Sequence, residues 1–170
     1  MLPEPTLRLR FREMTDGDLD RMAALLGDPE VMRYYPRPKT REEAQRWIDW
    51  SRRGYAEHGH ALWIIETHDG EFVGDCGLTW QPLGDEQRLE VGYHVCPAQQ
   101  RRGYATEAAR ACVEHAFDKV GAHQVVAIIH PDNAASRGVA ERIGMSLERA
   151  TRDKCGHPVV VYSRTAGGAA

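Results

Sequence analysis

Residues 89–107, Leu-Glu-Val-Gly-Tyr-His-Val-Cys-Pro-Ala-Gln-Gln-Arg-Arg-Gly-Tyr-Ala-Thr-Glu, hold the parts of a phosphate-binding site. An apolar run rich in β-formers meets Pro97. A polar, basic turn with one glycine follows, and an amphipathic pattern begins at Tyr104. This reads as a strand feeding a helix N-terminus. The first N–H groups of a helix lack internal partners, and the helix dipole places partial positive charge there. Such a terminus takes phosphate, and Arg101 and Arg102 add charge. A side chain at Gly103 would bar phosphate from the backbone. The hexapeptide Gln100–Ala105 is neither a Walker A loop, which needs Gly-Lys-Ser/Thr, nor a dinucleotide Gly-x-Gly-x-x-Gly.

Glu90 interrupts the apolar strand just before this loop. A carboxylate there is a candidate general base for an amine. The competing reading is a solvent-facing Glu90 paired with a neighbouring basic residue. Alternation places Glu90, Gly92 and His94 on one face and leaves open which face that is.

The flanking elements must position this unit. Residues 6–12 read as a strand. Thr15 and Asp18 cap a helix whose apolar stripe is Leu19, Met22, Ala23 and Leu26 and which Asp28-Pro29 ends. Thr40 and Glu43 form a second capping box, opening a helix to about residue 57 with Ala44, Trp47, Ile48 and Ser51 on one face. Strands near 61–67, 72–80 and 88–95 follow, the first two joined by an Asp69-Gly70 hairpin turn. A helix over 104–119 carries Ala105, Ala108, Ala109, Cys112, Ala116 and Phe117 at helical spacing. Then come a strand at 123–130, a helix at 134–142 closed near Gly144, and strands near 145–152 and 158–164. That order predicts an α/β fold with a mixed central sheet of about six to seven strands and about four helices.

At 170 residues the chain fits one domain, with a core over about 6–165 and a small-residue tail at 166–170 expected to fray. Hydrophobic content of 42% and charged content of 28% suit a soluble globular protein. The formal net charge of −3 gives no support to a nucleic-acid partner, and no apolar run is long enough to span a bilayer. The N-terminus lacks the charged and apolar regions of a signal peptide, so a cytoplasmic location is expected. The four cysteines show no Cys-x-x-Cys pairing and read as core thiols; with no zinc-ligand spacing, no metal is expected. Arg8, Arg10 and Arg12 alternate along the first strand and read as a solvated face.

Gln100-Arg101-Arg102-Gly103-Tyr104-Ala105 resembles the acyl-CoA pyrophosphate loop of the GNAT N-acetyltransferases. Asn133-Ala134-Ala135-Ser136 with Gly144-Met145, Leu7-Arg8-Leu9-Arg10 and Asp28-Pro29-Glu30-Val31-Met32 resemble the RimJ/RimL-like branch of that family. The resemblance covers roughly residues 6–165. It implies a single GNAT domain in which acyl-CoA wedges between two splayed strands, here 88–95 and 123–130. It implies an N-acetyltransferase (an EC 2.3.1 acyltransferase) using acetyl-CoA as cosubstrate, with direct attack by a primary amine. Tyr93 and Val95 would hold the acetyl carbonyl and pantetheine by their backbone. Gln100, Arg101, Arg102, Gly103, Tyr104 and Ala105 would hold the pyrophosphate, and Asn133 the second half of the cofactor.

Glu90 falls on the acidic position of the family's Glu-Ile-Gly-Tyr-like segment, as general base. Many members carry a tyrosine acid seven residues after the helix-opening Asn; here that position is Ala140. The branch offers Ser136 instead, as a hydrogen-bond donor to the leaving thiolate or simply a support for the helix start. His94 and His130 are strand histidines that could serve as bases near neutral pH, with a structural role as the preferred reading. The acceptor pocket is expected around Tyr34, Tyr35, Trp63, Trp80 and Cys155–His157, with packing as the competing role for the aromatics and packing preferred for Trp47 and Trp50. Arg33 and Arg37 are candidates for recognising a carboxylate. The acceptor is a protein N-terminus or a small-molecule amine, and the chain a monomer or homodimer. The alternative is a non-catalytic acyl-CoA sensor that binds a partner protein.

Overall fold

The computed structural model describes residues 1–168; the last two residues of the predicted fraying tail lie outside them. At the start of that tail, Ala166 N–H donates to the His123 carbonyl at 2.9 Å. The elements in chain order are β1 (Leu9–Arg12), α1 (Leu19–Leu26), α2 (Arg41–His58), β2 (Leu62–Thr67), β3 (Phe72–Leu83), β4 (Glu86–Val95), α3 (Tyr104–His115), β5 (Gln124–Ile129), α4 (Ala134–Arg142), β6 (Ser146–Arg152) and β7 (Pro158–Thr165). The strands form one open mixed sheet in the order β1-β2-β3-β4-β5-β7-β6.

The sheet is buried on both faces because alternate residues of one strand enter different cores. Leu62 and Ile64 of β2 join Leu25 and Leu26 of α1 and Ala44 and Ile48 of α2. Trp63 and Ile65 join Ala108, Ala109, Cys112 and Val113 of α3 on the other side. The alanines of α3 let that helix lie close to the sheet. Each fully buried Leu or Ile contributes about 2 kcal/mol of transfer free energy.

α2 begins as its capping box predicts: Glu43 N–H donates to Thr40 Oγ1 at 3.2 Å, and Thr40 N–H to the Glu43 carboxylate at 2.7 Å. Two boundaries differ from the sequence reading. β3 and β4 pair continuously from Gly74–Val95 to Leu83–Glu86, so the expected loop at 81–87 shrinks to a tight turn around Gly84. Pro82 and a polar stretch hid this, yet an extended hairpin tip accepts both. The helix expected to reach 119 ends at His115, and a wider π-type turn follows over Ala116–Val120.

The decisive topological feature is the pairing of β4 with β5. They run parallel and are in register at a single pair, Glu90 opposite Val126. Beyond it β4 continues to Val95 bonded to β3 alone, so the sheet parts between these two strands, as expected for 88–95 and 123–130. Gly74 lets β3 stay close to β4 there, since a Cβ at Gly74 would overlap the His94 carbonyl oxygen.

The arginines of β1 are not a free solvated face. Arg8 pairs with Glu107 at 2.6 Å. Arg10 and Arg12 share the buried Glu66 at 3.0 and 2.7 Å, and Arg12 also holds buried Asp18 at 2.7 Å. The sequence reading saw the alternation but not the acids that tertiary folding brings to it. Arg12 and the Thr15 N–H hold the Asp18 carboxyl below its ordinary range against the opposing effect of burial.

Candidate active site

The loop before α3 leaves a row of backbone N–H groups without partners among the described residues. Gln99 and Gln100 N–H groups turn back onto Cys96 and Pro97, and Glu107 N–H bonds to Gly103 as the helix starts. Among the described residues, no backbone N–H from Arg101 to Thr106 donates to a protein acceptor. Gly103 at the N-cap has φ 80° and Arg101 has φ 62°, left-handed conformations that turn successive N–H groups to one side. Arg8 braces the turn by donating to the Arg102 carbonyl at 2.8 Å and stacking over Tyr104, 4.5 Å from the ring centre. An open cavity of about 580 Å³ beside the loop is lined by Arg101, Arg110 and Arg142, by Gly103, Thr106 and Leu7, and by the Arg8–Glu107 pair. Gln100 reaches back with its side chain, donating to the Val95 carbonyl at 2.9 Å.

Glu90 sits where β4 and β5 part. Its carboxylate accepts from the Ile128 N–H at 3.3 Å, across the opening. The nearby Arg88 pairs with Glu86 and Glu148 instead, so the reading of Glu90 as a solvent-facing partner of a basic neighbour does not fit. Burial pushes the Glu90 carboxyl up to about 7, opposed by the Ile128 N–H, His94 and Lys154. The undecided face is now assigned: His94 packs edge-on against Trp47 of α2, with ring centres 5.7 Å apart, so Glu90, Gly92 and His94 point to the α1–α2 side.

Tyr93 and Ser136 lie on the α3–α4 side. Tyr93 Oη donates to the Ser136 carbonyl at 2.9 Å, and Ser136 Oγ donates to Tyr93 Oη at 3.1 Å. Burial keeps the Tyr93 hydroxyl protonated by raising its pKa. Two hydroxyls thus bridge β4 to the start of α4. Asn133 Oδ1 accepts the Ser136 N–H at 3.1 Å, which makes Asn133 the N-cap of α4. Removing that cap with Asn133→Ala should cost about 1 kcal/mol, lowering Tm by about 3 °C in a melt at fixed pH.

The segment between α1 and α2 spans the opening. Tyr34 lies against His130 beyond the end of β5, with ring centres 5.2 Å apart. Tyr35 lies against His94 on β4, with ring centres 5.7 Å apart and Oη 2.7 Å from Nε2. The other two expected pocket aromatics are elsewhere. Trp63 is 1% exposed, packed against His115 inside the α3 core, and is a core residue rather than a cleft wall. Trp80 lies beside His60 and Trp50 near the C-terminal end of α2. Arg37 is taken up by Glu43 at 2.6 Å, and Arg33 stacks on Tyr34, 5.5 Å from its ring centre.

Cys76 and Cys112 are buried free thiols 3.6 Å apart, Cys96 is half-buried and Cys155 is exposed. Cys155 shares the β6–β7 turn with Asp153 and His157; one ligand atom of each lies within 4.8 Å of the others. The Asp153 carboxylate is engaged there by the Cys155 and His157 N–H groups at 2.8 and 2.9 Å. No helix among the described residues is long and apolar enough to cross a membrane.

Sequence reasoning missed Asp75 and did not join it to His94 and Trp47. Asp75 is fully buried on β3, bonded to His94 Nδ1 at 2.7 Å and to Trp47 Nε1 at 3.0 Å. The signal was present: an acid in the apolar run Phe72–Leu78, the same interruption that singled out Glu90.

A sheet parted at one parallel pair, with the unpaired N–H groups of a helix start beside the gap and a half-buried carboxylate within it, is an arrangement suited to acyl transfer. The family model for an acetyltransferase (GNAT) domain matches residues 8–146, and the chain belongs to the GNAT acetyltransferase family; it is an N-acetyltransferase. It is 38% identical over 161 residues to YkkB of Bacillus subtilis, covering 94% of this chain and 93% of that one. The crystal structure of an acetyltransferase from Agrobacterium tumefaciens superposes with a TM-score of 0.83 at 26% identity, covering 95% of this chain and 92% of the other. RimL, a ribosomal L7/L12 alpha-N-protein acetyltransferase solved with coenzyme A, shares the fold at a TM-score of 0.77 and 18% identity, covering 97% and 98% of the two chains.

Proposed function

We propose that this chain transfers an acetyl group from acetyl-CoA to a primary amine, either a protein N-terminus or a small-molecule amine, by direct attack on the thioester. The observation that carries the reading is the Glu90 carboxyl, half-buried at the parting of β4 and β5 and pushed up to about 7. An acceptor enters as an ammonium and must lose a proton to become a nucleophile. A carboxylate titrating near neutrality removes it without remaining protonated at working pH.

The rest of the site supports the same division of labour. The free N–H groups of Arg101–Thr106 and the arginine-lined cavity suit a pyrophosphate. β4 past Glu90 lacks a strand partner on its β5 side, which suits pairing with the amides of a pantetheine arm along Tyr93–Val95. Tyr93 and Ser136 place hydroxyls on the α4 side, and exchanging the hydrogen bond between them for one to sulfur would stabilise a leaving thiolate. Tyr34 and Tyr35 suit the acceptor side.

Calorimetric titration with acetyl-CoA tests the donor half of this reading. Saturable binding of one acetyl-CoA per chain is expected. An absence of binding at millimolar ligand would overturn it.

A further inference from the structure

Acetyl transfer from a thioester to an ammonium releases one net proton: the amine loses two and the leaving thiolate gains one. Glu90 is half-buried, so a proton it takes must leave before the next turnover. The titratable groups around it are His94 on the same strand face, Tyr35 from the α1–α2 segment, Tyr93 on β4 and Lys154 from the β6–β7 turn.

Two of these form a continuous line. Asp75 Oδ1 meets His94 Nδ1 at 2.7 Å, and His94 Nε2 meets Tyr35 Oη at 2.7 Å. Trp47 Nε1 donates to the second Asp75 oxygen at 3.0 Å, which fixes the carboxylate. Asp75 is fully buried without an arginine or lysine partner among the described residues, so His94 is its only available counter-charge. The line starts in the core and ends at Tyr35, which is 41% exposed.

We propose that Asp75, His94 and Tyr35 form the outlet through which the acceptor's proton leaves the cleft, Asp75 being the positioning residue that orients the imidazole. This rests on the acyl-transfer reading above. The ammonium N–H breaks and a Glu90 O–H forms. That O–H breaks in turn as Tyr35 Oη takes its proton and passes its own to His94 Nε2; the imidazolium then returns a proton to Tyr35 Oη, which releases one to solvent. Only hydrogens change partners, and each group returns to its starting state. Asp75 and Glu90 favour the imidazolium, while burial, the largest influence, and Lys39 oppose it; the net shift is upward. Lys39 lies over the Tyr35 and Trp47 rings, 5.9 and 5.3 Å from their centres, outside the line itself.

The test combines His94→Gln, Tyr35→Phe and His94→Ala with side-chain nitrogen NMR of the resting protein. His94→Gln and Tyr35→Phe should lower kcat by about tenfold or more at neutral pH and alter the pH–rate profile, leaving acetyl-CoA affinity within about twofold. Added imidazole should restore part of the kcat lost in His94→Ala, a response that a merely packed histidine would not give. Unchanged kcat and pH profile, a loss confined to the acceptor KM, or no relief by imidazole would overturn the outlet. In the NMR titration His94 should titrate above an ordinary histidine, and Glu90→Gln should shift its pKa. A His94 that is neutral at pH 6 and insensitive to Glu90→Gln would also overturn it. A wild-type chain that acetylates no amine sinks the acyl-transfer reading instead, and the nitrogen titration still judges the network.

Discussion

Gly103→Val is expected to raise the acetyl-CoA dissociation constant about a hundredfold or more, a loss of about 2.7 kcal/mol. Gly103 stands at φ 80° at the N-cap of α3. A β-branched residue is a steric outlier in that region, so the turn must rearrange to admit it. Rearrangement redirects the N–H groups of Arg101–Thr106 that the proposed pyrophosphate needs. Each such charge-assisted bond contributes about 1.5–3 kcal/mol, so misaligning even two accounts for the effect. Within the chain the position is roomy, since a Cβ would meet only Arg8 Nη2, at 3.4 Å, so the added side chain acts through backbone strain and through the space the incoming phosphate needs. Gly103→Ala, smaller but also at positive φ, should fall between wild type and valine. Calorimetry checks the affinities, and a cooperative thermal melt of each variant checks that it is folded. Wild-type affinity in Gly103→Val would remove the loop from the cofactor site.

Glu90→Gln is expected to lower kcat by about 10²–10⁴ at pH 8, with acetyl-CoA affinity preserved. The wild-type rate should fall below pH 7 as the carboxyl, pushed up to about 7, becomes protonated. That acid limb should vanish in the glutamine variant. Because His94 and Glu90 influence one another, the apparent values read from the profile belong to the pair.

The same substitution has an opposite consequence for stability. A carboxyl raised from 4.5 to about 7 in the fold contributes stability that is full below its unfolded value and is lost as pH rises through 7. Glu90→Gln should therefore stabilise the chain at pH 8 by about 1–2 kcal/mol, discounted for partial solvent screening, and leave it little changed at pH 4. Thermal melts at the two pH values check this. Lower activity with higher alkaline stability would mark Glu90 as a group retained for chemistry.

The parts of the site visible in the sequence were the local ones. The loop Gln100–Ala105 joins a strand to a helix within a few residues, so its geometry follows from turn chemistry and the helix start. The parting of the sheet came from family resemblance, and the single β4–β5 pair bears it out. Glu90 was visible as an interruption in an apolar strand. Its face was not, because a period of two fixes only relative orientation; the packing of Trp47 on His94 decides it.

Trp63 was misplaced for a related reason. β2 is buried on both faces, and its run Leu-Trp-Ile-Ile offers no inside–outside contrast to locate the indole. The Asp75–His94–Tyr35 line needs three segments far apart in the chain, and local pattern cannot join them. Arg8, Arg10 and Arg12 likewise found their acids on α3, on β2 and just before α1.

The most direct test of acyl transfer at Glu90 is thiol release from acetyl-CoA by the wild-type chain against a panel of peptide N-termini and small amines, measured from pH 5 to 9. The account predicts release that requires an amine, yields the N-acetyl product and climbs through pH 7, with the climb absent in Glu90→Gln. Amine-independent release, or a pH profile that Glu90→Gln leaves unchanged, would contradict it.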